Sequence, residues 1–268
     1  GKDKSGGEDG SGAKWTQLET TWRLSTLPFR LAHTAIAANW KPRTRPSWSK
    51  ALDQAVGSLR TCTANTPLNM ALIRLVTERG VPSSAVPEAE DVVRLTQDLG
   101  NGLKVRVHYP AGLGHYSEAE RFFVYVQPPT ASSASNGHRG LASRLALACS
   151  AAVVMVDYRR PPESERGEAL EDLEKAYRWL VHQPGVTPAQ LLVAADGLGA
   201  ALGLNLLTSL RDACAAGEPD ILPAGCVLLS PWTDLTDFSS PSWAKHAEVD
   251  HLDARVAAYV AEHYAGLA

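Results

Sequence analysis

A carboxylate, an amide and two aromatic rings stand where apolar runs of this chain end. Asp196 follows LLVAA (191–195), and Gln127 closes RFFVYVQ (121–127). Tyr158 ends AVVMVDY (152–158), with Glu163 just beyond, while Trp232 and Asp234 follow CVLLS (226–230). In open α/β sheets, ligands enter at the carboxyl ends of the strands. A carboxylate and an amide converging there can move a proton or hold a substrate by hydrogen bonds. Asp196 and Gln127 are therefore candidate acid/base residues, and Tyr158, Glu163, Trp232 and Asp234 candidate pocket residues. A structural role competes for Asp234, which suits the cap of a turn. The four cysteines, Cys62, Cys149, Cys214 and Cys226, are far apart and form no Cys-x-x-Cys pair. They suggest neither a zinc site nor a disulfide framework, and Cys226, inside an apolar run, is expected to be a buried thiol. No metal and no cofactor is expected.

The elements that must position these groups fall into two parts. Residues 1–13 are rich in Gly, Ser and charge and are expected to be a disordered tail. Residues 14–88 read as helices. Trp15, Leu18 and Trp22 share one helix face, as do Phe29, Ala32, Ile36 and Trp40, with Pro28 separating the two segments. Further helices are expected near 49–61 and 67–79. Between them, KPRTRPSWSK (41–50) reads as a solvated basic loop. From about residue 89 the period changes to that of strands. VVRL (92–95) and LKVRVHY (103–109) flank Asn101-Gly102, a hairpin signal. Four apolar strands then alternate with helices at 138–149, 167–182 and 198–212, the pattern of a parallel sheet covered on both faces. A last helix spans about 251–265. His246, His251 and His263 in or before it read as surface residues, and His182 ends a helix, where a cation suits the dipole.

The chain has 268 residues, 44% of them hydrophobic, enough for one large α/β domain with a small helical appendage. Its net charge of −3 gives no pointer to nucleic acid or an anionic membrane. No apolar run approaches the roughly 20 residues of a membrane span. With no secretory signal visible, a cytoplasmic location is expected.

VVMVDYRRPPE (153–163), GEALEDLEKAYRWL (167–180), VAADGLGAALGLNLL (193–207) and LLSPWTDLT (228–236) occur in this order. Together they resemble four signature segments of the hormone-sensitive-lipase-like esterases, over roughly residues 90–236. The resemblance implies an α/β-hydrolase fold: a mostly parallel sheet with helices on both faces, an N-terminal helical cap over 14–88 and a core over 89–268. It also implies that Asp157, Tyr158 and Arg159 brace the structure, and it sets expectations for catalysis. The family's elbow is Gly-x-Ser-x-Gly, whose strained turn presents a Ser hydroxyl above the sheet. This chain has Ala195-Asp196-Gly197-Leu198-Gly199, with Gly197 at the nucleophile position. The family's His-Gly-Gly-Gly oxyanion loop aligns with Gln127-Pro128-Pro129-Thr130, and proline has no N–H to offer. The N–H of Leu198 is the donor expected to remain, with Thr130 a weaker second. The family's acid and base follow two further strands, for which this sequence has no counterpart.

These departures lead to the expectation of a catalytically inactive hydrolase-like protein. It would act as a binding subunit for a protein partner, an apolar small molecule or both. Two alternatives stay open: a non-hydrolytic cyclase or isomerase reusing the cleft, and a piece of a longer esterase-like chain. With the C-terminal strands missing, CVLLS becomes an apolar sheet edge. A second copy or a homologous hydrolase-like chain is the expected cover, and the terminal helix the other possibility.

Overall fold

The computed structural model describes residues 17–37, 40–65, 68–79, 86–160, 163–164 and 167–265. The expected N-terminal tail and Trp15 lie outside these residues. The chain divides into two compact units, residues 1–76 with 235–268, and residues 77–234.

The second unit is built on a six-stranded sheet. β1 (Val92–Asp98) and β2 (Lys104–Pro110) form an antiparallel hairpin with Asp98 opposite Lys104. Asn101 and Gly102 turn it with φ of +56° and +81°, the left-handed values that favour this dipeptide. β3 (Phe122–Val126), β4 (Ala152–Asp157), β5 (Leu191–Asp196) and β6 (Gly225–Leu229) are parallel, and the strand order is β1-β2-β4-β3-β5-β6. The numbering of helices in this unit starts at α4 (Asn136–Ala148), followed by α5 (Glu168–Val181) and α6 (Gly199–Ala215). Ala142 and Ala146 of α4 pack with Phe123, Tyr125, Val153 and Met155 on one face of the sheet. On α5 and α6, Leu173, Tyr177, Leu180, Leu206 and Leu210 are fully buried. Strands buried on both faces need no polar alternation, which is why β3, β4 and β5 read as continuous apolar runs.

β6 departs from that pattern. It pairs only with β5 among the described residues. Val227 is 44% and Leu229 36% exposed. Cys226, expected to be buried, is exposed. An apolar run signals burial only where a layer covers the strand, and neighbours decide that.

The first unit is helical: α1 (Gln17–Ala37), α2 (Lys50–Asn65), α3 (Met70–Arg79, its last turn counted with the second unit), α7 (Pro241–His246) and α8 (Ala254–Ala265). Two expectations need correction. Pro28 does not separate two helices but lies inside α1. A proline inside a helix removes one i→i−4 donor and crowds the carbonyl four residues back, which can kink a helix without ending it. Residues 235–268 group with the N-terminal helices, not with the sheet. Thr63 Oγ1 donates to the His251 carbonyl at 3.3 Å, Arg45 reaches His246 Nδ1 at 3.1 Å, and Tyr259 accepts from the Met70 N–H. Such contacts join distant stretches and leave no local trace in the sequence. Short α7 was not foreseen either.

Candidate active site

β5 runs straight into the turn that carries the candidate site. Its last residue is Asp196, and α6 begins three residues later at Gly199. Gly197 between them has φ of +54°, left-handed backbone that costs a residue with a Cβ about 1–2 kcal/mol. Its N–H donates to the Leu229 carbonyl, and its carbonyl accepts from Trp232 N–H, both at 3.0 Å. The strand–turn–helix elbow is therefore held from both sides by the end of β6 and the residues just after it. A Cβ placed on Gly197 would meet nothing within 4 Å, so open space lies over the turn. Leu198 and Gly199 open α6, and the first N–H groups of a helix have no intrahelical acceptor. Together with the helix dipole they favour negative charge at this point.

The register of β3 and β5 decides the partners of Asp196. Tyr125 lies opposite Ala194, and side chains two apart on a strand share a face. Asp196 and Tyr125 therefore both face α4, where His138 sits in the first turn. The Tyr125 hydroxyl is 2.8 Å from His138 Nδ1 and hydrogen-bonds Asp196. His138 Nδ1 is 3.8 Å from Asp196 Oδ2. With the phenol proton committed to the carboxylate, His138 presents Nδ1–H to the Tyr125 oxygen. Burial raises the Asp196 carboxyl above the ordinary carboxylate value, against the opposing pull of His138 and the Tyr125 hydrogen bond. Burial holds the His138 imidazole below its ordinary value, and raises the Tyr125 phenol. Asp196 is the outermost of the three, its side chain 32% exposed. The arrangement is a basic carboxylate beside the elbow, backed by a neutral phenol and a neutral imidazole.

The pairing of Asp196 with Gln127 is not what the structure holds. Gln127 is fully buried, its Nε2 donates to the Val156 carbonyl at 2.7 Å, and its own carbonyl accepts from Tyr158 Oη at 2.6 Å. No hydrogen bond joins it to Asp196 among the described residues. Gln127 and Tyr158 tie β3 to β4 instead. Arg159 holds buried Asp172 through its backbone N–H at 2.8 Å and its guanidinium at 2.9 and 3.0 Å. Pro128, Pro129 and Thr130 form a turn closed by Ala131 N–H to the Pro128 carbonyl at 2.9 Å. The next donors are also taken up by protein: Ser132 N–H goes to Glu78 at 3.0 Å. At the elbow itself, the first N–H groups of α6 are the donors without an intrahelical acceptor. Trp232 indole N–H donates to the Asp234 carbonyl at 2.8 Å, closing a local turn in which Asp234 is exposed. Glu163 is exposed as well. Tyr125 and His138 escaped sequence reasoning. The available signal was a phenol inside an otherwise apolar strand, in phase with Gln127.

Comparison with known proteins matches an α/β-hydrolase-fold family model to residues 130–268. An acetyl-hydrolase of Streptomyces hygroscopicus is 42% identical over 127 residues, 47% of this chain and 40% of that protein. An esterase, LipI, of Mycobacterium tuberculosis is 29% identical over 70% of this chain and 58% of its own length. The chain thus spans less than two thirds of these relatives. Among solved structures, an esterase of the bacterial hormone-sensitive lipase family superposes with a TM-score of 0.66 at 26% identity, covering 82% of this chain and 70% of that one. These findings overturn the expectation of an inactive binding subunit, and with it the cyclase or isomerase alternative. Relatives named acetyl-hydrolase, esterase and carboxylesterase point to hydrolysis. A Gly at the nucleophile position removes a hydroxyl, but the elbow, the helix N-terminus and a basic carboxylate remain. The matched model spans half the chain and the esterase-like segments lie within the same sheet and helices, so the chain belongs to the α/β-hydrolase family, of the hormone-sensitive-lipase-like kind.

Proposed function

We propose that this chain hydrolyses short carboxylic esters, with water as the nucleophile in the open space over Gly197 and Asp196 as its general base. The observation that carries the reading is Asp196: a partly exposed carboxylate beside the vacant elbow, made more basic by burial. The substrate carbonyl oxygen would point at the N–H groups of Leu198 and Gly199, where negative charge develops. Asp196 takes one proton from the water as its oxygen bonds to the carbonyl carbon. The tetrahedral intermediate then collapses, and the leaving alkoxide takes that proton back from Asp196. Acid and alcohol are released, and no covalent enzyme intermediate forms. Tyr125 and His138 are positioning residues, holding the carboxylate in one orientation. The relatives' names support the ester class, and acetyl esters in particular.

The test is turnover of p-nitrophenyl acetate by the wild type and by Asp196→Asn. General-base catalysis contributes about 10²–10⁴-fold, and the variant is expected to lose that factor in kcat. Activity should fall as pH falls through the raised carboxyl pKa, because the protonated acid cannot accept a proton. Fluorophosphonate probes should leave the rate unchanged. A wild type no faster than buffer, or stoichiometric labelling of a serine, refutes the proposal. The expected cytoplasmic location belongs to this proposal too, and fractionation of the source cells tests it.

A further inference from the structure

In the helical unit, α1 carries an apolar stripe that stands exposed among the described residues. Trp22, Phe29 and Ile36 recur at seven-residue intervals and are 65%, 78% and 62% exposed, and Trp40 just beyond the helix is 87% exposed. Seven residues are close to two helical turns, so the three side chains stand in one line. The opposite face is the one that packs: Thr34 lies about half a turn round from Ile36 and hydrogen-bonds Thr61 of α2 at 3.0 Å. The stripe is thus the solvent side of a helix whose other side is satisfied.

Directly after it comes the basic loop. Residues 41–50 contain Lys41, Arg43, Arg45 and Lys50 and no acidic residue. Lys41, Arg43 and Lys50 are exposed. Arg43 donates to the Trp48 carbonyl at 3.0 Å, and Arg45 lies 5.9 Å from the Trp48 ring centroid, so the loop has a defined shape. Backbone bonds from Trp40 and Lys41 to the Ala37 carbonyl, at 3.1 and 3.0 Å, hold the start of the loop against the end of α1. The chain's net charge of −3 averages this local excess away.

We propose that α1 and the 41–50 loop dock on an anionic phospholipid surface. Each half of the surface fits one layer of such a membrane. Tryptophan and phenylalanine favour the boundary between headgroups and acyl chains, and exposed lysine and arginine favour anionic headgroups. Charge complementarity selects this occupant over a second copy, because two copies meeting stripe to stripe would bring the two cationic loops together. No helix among the described residues is long and apolar enough to cross a membrane.

The experiment is co-sedimentation of the full chain with phosphatidylcholine vesicles, with and without about 30% phosphatidylserine. Binding is expected on the anionic vesicles and should weaken sharply at about 0.5 M salt, where the Debye length is only a few ångströms. Each basic residue near such a surface contributes roughly fivefold, so Lys41→Gln with Lys50→Gln should weaken partitioning about 30-fold. Phe29→Ser with Trp40→Ser should weaken it on both kinds of vesicle. Far-UV circular dichroism confirms that these surface variants stay helical. Equal binding to neutral and anionic vesicles, no binding at all, or unchanged binding by both double variants overturns the proposal. So does a wild-type dimer that Phe29→Ser with Trp40→Ser converts to monomer, since the stripe would then be a contact between copies.

Discussion

Adding one methyl group at Gly199 should damage this protein more than adding one at Gly197, although only Gly197 has left-handed backbone. A Cβ on Gly199 would stand 2.5 Å from the Val126 carbonyl oxygen, 2.7 Å from that of Gln127 and 2.8 Å from the Gln127 carbonyl carbon. Ordinary contact begins at 3.4 Å, so α6 must lift away from the end of β3 by most of an ångström. All three obstacles are backbone, and none can swing aside as a side chain would. Overpacking of this kind costs typically 1–3 kcal/mol, occasionally more, and the rigid obstacles place Gly199→Ala at about 3 kcal/mol. Gly197→Ala meets no atom within 4 Å, so its cost is the backbone conformation alone, about 1 kcal/mol. Urea unfolding followed by circular dichroism reads both as midpoint shifts at constant slope. In a thermal scan the expected falls are about 6–12 °C for Gly199→Ala and about 2–4 °C for Gly197→Ala. In the proposed mechanism the Gly199 N–H would also face the substrate oxygen, so the proposed hydrolytic rate should fall in Gly199→Ala even where the protein remains folded. A Gly199→Ala variant as stable as Gly197→Ala would refute the close packing of α6 on β3 on which the site geometry rests.

His108 predicts an acid limb in stability. It is 2% exposed, its Nδ1 has no hydrogen-bond partner among the described residues, and burial pushes its pKa down to about 4. The unfolded chain protonates near 6.5, so stability is full above that value and falls as pH drops from 6.5 towards 4. Between pH 7 and pH 4.5 the loss from this group is about 2.5 kcal/mol, and His108→Leu should flatten that part of a denaturation series. An unchanged slope in the variant would assign the acid limb to other groups. Gly197→Ser should fold, since the site has room, but its hydroxymethyl group occupies the place assigned to water. The ester-hydrolysing rate should fall, with no burst of acyl-enzyme, and a faster variant showing such a burst would mean that a serine mechanism is completed from elsewhere.

The sequence by itself determined the class of fold and most of the elements, though not the continuity of α1 through Pro28 or the short α7. Apolar runs bounded by turn residues marked the strands, Asn101-Gly102 marked the hairpin, and the residues around Gly197 marked the elbow. Each of these signals is local: periodicity, a dipeptide or a motif acts within a few residues. Register, strand order and the covering of a face are settled between segments far apart in the chain. For that reason Asp196 was legible as a candidate but its partners were not. Tyr125 meets it only because β3 and β5 pair with Tyr125 opposite Ala194, and His138 only because α4 lies over that face. The same reason explains Gln127, which ends its strand as a site residue would and yet turns into the sheet to satisfy the Val156 carbonyl. It explains β6, whose apolar run became an exposed edge, and residues 235–268, which joined helices from the other end of the chain. Local sequence chose which segments are helix and strand, whereas burial, hydrogen-bond pairing and charge placement depend on neighbours that only the folded chain brings together.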